Sequence, residues 1–256
     1  MSTLVRWIDE HLYRDYCDHW DDELFRRSIL QTVEADWDIL DLGAGAGVVR
    51  QMNFRGQVQR VCGVDPDRRV LNNAALDEAK VGVGDAIPFA SEAFDLVFAD
   101  NVFEHLADPA AVFREVWRTL KPGGSFLFKT PNRWHYVPTL ARLLPHRAHE
   151  FVNRLRGRQA VDTFPTLYRA NTPSAIRRLA AQTEFDVEEL RLIEGRPEYL
   201  RMLTPTYLAG LVYERLVNAV PALEQFRVVM LGRLRKPAKA VPIQPLRRSA
   251  EVRAAA

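Results

Sequence analysis

The chain has 256 residues, is 47% hydrophobic and carries a formal net charge of +2, which is enough material for one large domain with a full core. So small a net charge argues against a dedicated nucleic-acid binder, and only two cysteines, Cys17 and Cys62, argue against a disulfide framework or a cysteine-based zinc site. No apolar run reaches the ~18 residues needed to span a bilayer, and Asp9 and Glu10 are out of place in a secretory leader, so a cytoplasmic location is expected. The charge is unevenly spread: residues 1–41 are acidic, whereas 129–178 and the tail from Arg233 are rich in arginine.

Residues 1–35 read as one or two amphipathic helices carrying Trp7, Tyr13, Tyr16, Trp20 and Phe25, ahead of the sheet as a cap would be. Those aromatics either dock the segment on the core, or Tyr13 or Tyr16 closes over a bound cation. Ile39 to Leu42 is an apolar strand that runs straight into Gly43, Gly45 and Gly47. Without Cβ atoms the chain can turn sharply into a helix, and a nucleoside-bearing ligand can touch the peptide plane. The dinucleotide fingerprint would put its third glycine at position 48, where Val48 stands, so the loop suits a ligand without phosphates. Val61 to Asp65 is a second strand, ending in an acid about twenty residues after the glycines, the spacing at which a carboxylate accepts both hydroxyls of a ribose.

A third strand is expected at Val81–Val83, running into Gly84-Asp85-Ala86, and a fourth at Phe94–Ala99, followed by Asp100, Asn101, Glu104, His105 and Leu106. Asp108 and Pro109 then cap a helix with Val112, Val116, Trp117 and Leu120 on one face, stopped by Lys121-Pro122-Gly123-Gly124. A fifth strand, Phe126–Phe128, comes next.

In their order and spacing, the motifs at 41–47, Asp65, Gly84-Asp85-Ala86, Phe94-Asp95-Leu96-Val97 with Glu104-His105-Leu106, and Leu120-Lys121-Pro122-Gly123-Gly124 resemble the class I S-adenosylmethionine-dependent methyltransferases. The resemblance implies an α/β fold: a Rossmann-like sheet of seven strands, mostly parallel with the last antiparallel, bearing an N-terminal helical cap and helical lid insertions. It also implies S-adenosylmethionine as cofactor, lying across the carboxyl ends of the first four strands. Carried over position by position, Asp41, Gly43, Ala44, Gly45 and Gly47 face the methionine half, Asp65 with Pro66 the ribose, and Asp85 with Ala86 the adenine. Asp100 and Asn101 fall near the methionine moiety and the acceptor. The expected organisation is a cap at 1–35, the methyltransferase domain at 36–236 with lid insertions at about 131–171 and 197–225, and a disordered tail at 237–256.

From Thr130 to Asn171 the chain shows no strand period and carries His135, Tyr136, His146, His149, Tyr168 and several arginines, as a helical substrate lid would. Thr172-Pro173-Ser174 caps a helix ending near Phe185, and a sixth strand follows at Val187–Ile193. The family usually has a glycine before that phenylalanine; here Glu184 stands instead, so the helix is expected to end without a left-handed residue. In the second insertion Leu208, Leu211, Val212, Arg215, Leu216 and Val220 form a mostly apolar helical stripe. It suits packing against the lid or a partner, or an interfacial helix that meets a lipid-linked substrate. The last strand is expected at Arg227–Leu234.

Methyl transfer from a sulfonium releases a neutral thioether, so orientation dominates the rate, and a hydroxyl acceptor must also lose a proton. His105, just after strand four, is the leading catalytic candidate, either as base or as a residue that holds its loop; His135, after strand five, is the second. No metal is expected, because Asp100 and Asn101 lack a second acidic pair at recognisable spacing. The lid segment resembles bacterial methyltransferases of surface-polysaccharide and glycan assembly, which implies O-methylation of a small-molecule or glycan hydroxyl. The alternative is a lipid or quinone-like acceptor with peripheral membrane contact; a cofactor-binding scaffold and RNA modification are the remaining readings. The residues fix no oligomeric state.

Overall fold

The computed structural model describes residues 2–14, 16, 19–143 and 165–238. Seven strands form one sheet: β1 (Asp38–Leu42), β2 (Arg60–Asp65), β3 (Glu78–Val81), β4 (Phe94–Asp100), β5 (Leu120–Pro131), β6 (Asp186–Ile193) and β7 (Val229–Arg235). Their order is β3-β2-β1-β4-β5-β7-β6, and β7 runs antiparallel to both neighbours while β1 to β5 pair in parallel. The order reverses between β1 and β4, which opens a crevice beyond the carboxyl ends of these strands.

Strand alternation sends side chains to two cores. On one face Leu40, Leu42, Cys62, Val64, Val97, Phe126 and Phe128 pack with α3 (Pro109–Thr119) and the later helix α5 (Pro173–Gln182). On the other, Ile39, Val61, Leu96, Phe98 and Leu127 meet Phe25 and Ile29 of α2 (Trp20–Leu30). The expected cap therefore splits: α2 covers the sheet, while α1 (Thr3–Leu12) docks on α6 (Thr204–Ala219). Tyr13 is buried, stacks on Tyr207 and donates to Glu214 at 3.1 Å, so of its two expected roles it takes the docking one. The described part of the first lid forms α4 (Tyr136–Leu143); the rest, with His146 and His149, lies outside the described residues, as do Cys17 and the tail from 239.

Four local expectations are corrected. The glycine loop leads only to a 3-10 turn at Arg50–Met52, because α2 already covers this face of the sheet and Arg26 takes up the carbonyls of Gln51 and Asn53. The third strand lies at Glu78–Val81 and ends where the apolar signal began. As an edge strand it is only half buried, and its pairing with Cys62–Asp65 sets the register. Lys121-Pro122-Gly123-Gly124 lies inside β5 as an irregularity between the pairs Phe94↔Leu120 and Leu96↔Ser125, with Gly123 at φ +81. Glu184 does adopt the left-handed conformation, at φ +60.

Candidate active site

The glycine loop forms the floor of the crevice. Gly43, Gly45 and Gly47 have φ of +85, +50 and +72, a region costly for any residue with a Cβ. A Cβ on Gly43 would strike Val102, and one on Gly47 would strike Asn73; one on Gly45 would meet nothing within 4 Å, so this position opens onto free space. The loop is held from β2: Gly43 N–H donates to the Val64 carbonyl at 2.8 Å, and Gly45 N–H donates to Asp65 Oδ2 at 3.0 Å. The other oxygen of Asp65 accepts from Asp67 N–H at 2.7 Å. Each carboxylate oxygen keeps a further lone pair for a ligand. Asn73, which no sequence motif marks, clamps the loop by donating its amide to the Ala44 and Gly45 carbonyls.

Three acids end adjacent strands here: Asp41 on β1, Asp65 on β2 and Asp100 on β4. Burial, then the charges of Asp100 and Asp65, push Asp41 well above the usual carboxylate range. Burial also raises Asp100 to about 6, against the pull of Lys129. Lys129 of β5 is fully buried, stands 3.0 Å from Asp100 and 2.9 Å from Asp21, and touches Asp22, which ties α2 to the crevice. Burial pulls its ammonium down, but these three carboxylates more than offset that and hold it above its ordinary value. Asn101, next to Asp100, is left-handed at φ +53 and exposed. Pro66, Asp85 and Ala86 lie exposed on the loops after β2 and β3, with Ala86 N–H turning back to the Val83 carbonyl.

His105 and His135 stand in different surroundings. The His105 ring meets the Pro165 carbonyl through Nδ1 at 3.0 Å, and its Nε2 is 3.9 Å from Glu104. The Glu104 carbonyl accepts from Leu167 and Tyr168 N–H, so the Glu104-His105 turn fastens the returning end of the lid over β4. Burial raises the Glu104 carboxyl, which accepts from Thr130 Oγ1 at 3.3 Å. His135 is buried beside Glu194, which follows β6, at 3.7 Å. Burial alone pushes its imidazole down to about 3. Glu194 escaped the sequence reading, since a lone acid after a strand resembles any solvated one.

Residues 40–128 match the family described as "Methyltransferase domain". Among curated proteins the chain is similar to the ubiquinone biosynthesis O-methyltransferase of Pseudomonas putida, 31% identical over 46% of this chain and 58% of that protein, and to its Pseudomonas syringae pv. tomato counterpart at 32%. The chain thus spans somewhat over half the length of these relatives. Similar solved structures include a putative methyltransferase from Bacillus halodurans (18% identity, 85% of this chain and 100% of that one, TM-score 0.53). A second is the Streptomyces coelicolor geranyl diphosphate C-methyltransferase (16%, 92% and 84%, TM-score 0.54), and a third the Haemonchus contortus phosphoethanolamine N-methyltransferase 2 (17%, 93% and 60%, TM-score 0.54). At such identities these structures share the fold, and their different acceptor atoms leave this chain's acceptor open. Residues 40–128 thus carry a methyltransferase domain, and the seven-stranded sheet has the Rossmann-like fold of the similar methyltransferase structures.

Proposed function

We propose that the protein transfers the methyl group of S-adenosylmethionine to the hydroxyl oxygen of a ring acceptor, of the apolar quinol type in preference to a glycan. The observation that carries the cofactor half is the open space at Gly45 beside the crowded acids Asp41, Asp65 and Asp100. A phosphate entering there would add to their repulsion, whereas a ligand with a cationic sulfur, an ammonium group and ribose hydroxyls would relieve it. Asp65 is suited to the hydroxyls, and Asp41 and Asp100 to the cationic half. When bound, the cofactor supplies a methyl group on a positively charged sulfur.

The chain's own part is orientation, exclusion of water and management of one proton. With Nδ1–H donating to the Pro165 carbonyl, His105 keeps Nε2 as its basic nitrogen, and the same bond makes it a fastener of the loop after β4. The apolar acceptor is favoured by the names of the curated relatives and by α6, where Leu208, Val212 and Leu216 stand exposed in one i, i+4 row beside Leu12. No described helix is long and apolar enough to cross a membrane, so this row would serve contact with an apolar molecule or surface. The glycan reading drew on the segment 130–172, whose residues 144–164 lie outside the described ones.

The test is incubation with methyl-labelled S-adenosylmethionine and fractionated cell extract. The expected result is S-adenosylhomocysteine together with label in the solvent-extractable phenolic fraction. Label in polysaccharide would replace the acceptor assignment, and absence of S-adenosylhomocysteine with every fraction would overturn methyl transfer.

A further inference from the structure

Beyond the carboxyl ends of β5 and β6, three buried polar atoms have no hydrogen-bond partner: His135 Nε2, Tyr136 Oη and Glu194 Oε2. His135 and Glu194 are 1% and 5% exposed. Leaving a buried polar atom unpaired costs its full desolvation, so three neighbouring ones point to a ligand group that completes them. Nε2 and Oε2 are 3.7 Å apart, too far for a bond between them. Nor are they an ion pair: burial pushes the imidazole down to about 3 and the carboxyl up to about 8, which leaves both uncharged at neutral pH.

The protonation of the cluster follows from its neighbours. Val137 N–H approaches His135 Nδ1 at 3.4 Å, so Nδ1 carries the lone pair and Nε2–H is a donor. The protonated Glu194 carboxyl and the Tyr136 hydroxyl can each donate and accept. Facing Glu194 are the Val228 N–H and Arg227 ahead of β7, Glu214 and Asn218 on α6, Tyr136 and Tyr213, and Tyr16 of the N-terminal segment. The Arg227 guanidinium is committed to the Val217 and Leu192 carbonyls and to Glu224, so an anionic ligand would meet acids and no uncommitted cation among these groups. The neighbouring rings are aromatic: Tyr136 lies 4.0 Å from the His135 ring and 4.9 Å edge-on from Tyr213.

We propose that His135, Tyr136 and Glu194 bind a phenolic hydroxyl of an uncharged aromatic acceptor, a recognition site that rests on the hydroxyl-acceptor reading above. The cluster stands beyond the carboxyl ends of β5 and β6, strands of the same sheet whose β1 leads into the glycine loop. It disfavours anions: a phosphate or carboxylate would meet the negative charge of Glu214 and no uncommitted cation among these groups. A saturated polyol would satisfy the hydrogen bonds but gain little from the rings.

Catechol is the probe, titrated by NMR into the full chain with and without S-adenosylhomocysteine, with methyl glucoside and benzoate in parallel arms. Catechol is expected to bind the wild type, with affinity falling about tenfold in Tyr136→Phe and changing less than threefold in Glu194→Gln, which keeps a neutral donor and acceptor. Tyr213→Phe loses only the bond from its hydroxyl to the Phe226 carbonyl and should retain catechol affinity. Thermal unfolding confirms that each variant is folded, and Tyr136→Phe should be no less stable than the wild type. Equal catechol affinity in the wild type and Tyr136→Phe would overturn the site, as would tighter binding of methyl glucoside or benzoate, or a site filled by structural water only. Absence of S-adenosylhomocysteine binding would count against the methyl-transfer reading instead, and the cofactor-free catechol arm would still decide the site.

Discussion

Asp65 does two things with one carboxylate. Its oxygens already accept from Gly45 and Asp67 N–H, which sets the shape of the glycine loop, and each keeps a further lone pair for the ribose hydroxyls of the proposed cofactor. Asp65→Ala removes both, so calorimetry should find S-adenosylhomocysteine affinity lower by about 1.5–3 kcal/mol; unchanged affinity in a folded variant would remove Asp65 from the ribose site. Such a residue is legible in sequence because its position is fixed by two regular objects, the glycine turn and the strand end. Asn73 has no such marker. Its amide reaches Ala44 across 29 residues from an irregular turn, and a contact of that kind leaves no period to read. Glu194 is hidden for a similar reason: its importance comes from burial against His135, and burial of one residue after a strand has no local sequence sign.

At the scale of elements, the end of α5 shows how a fold overrides local preference. Phe185 N–H donates to the Ala180 carbonyl across the left-handed Glu184, the closure that glycine ordinarily makes at a helix end. Phe185 is thereby turned into the core against Trp117 and Phe113, a gain that outweighs a left-handed glutamate. Glu184→Gly should therefore stabilise the protein by about 1 kcal/mol, measured by urea unfolding; no gain would mean that the strain is relieved elsewhere. The sheet was legible because β1, β2, β4 and β5 are buried, apolar and punctuated by glycine or acid. The half-exposed edge strand β3 gave a shifted signal, and the missing helix after the glycine loop was not legible at all. Its place on the sheet is taken by α2, which comes from another part of the chain.

At the scale of the whole molecule, the buried titrating groups make stability depend on pH in a direction that can be worked out. Glu194 rises from 4.5 to about 8 on folding, so between those values the native state holds the extra proton and stability falls as pH rises. Asp100, raised from 3.8 to about 6, acts with the same sign over a lower window. His135, lowered from 6.5 to about 3, acts oppositely: the unfolded chain binds the proton more readily, so stability is lost as pH falls below 6.5. Glu194 and Asp100 together outweigh His135 between pH 4.5 and 6, Glu194 and His135 offset one another from 6 to 6.5, and above 6.5 Glu194 is the one of the three that still titrates. The unliganded protein should therefore lose about 1–2 kcal/mol between pH 6.5 and 8, since a full proton difference is worth about 1.4 kcal/mol per pH unit. Glu194→Gln has no proton to lose, so its denaturant midpoint should stay flat over that interval. A wild-type midpoint equally flat from pH 6.5 to 8 would mean that Glu194 is already ionised in the folded protein, and the neutral character of the cluster would go with it.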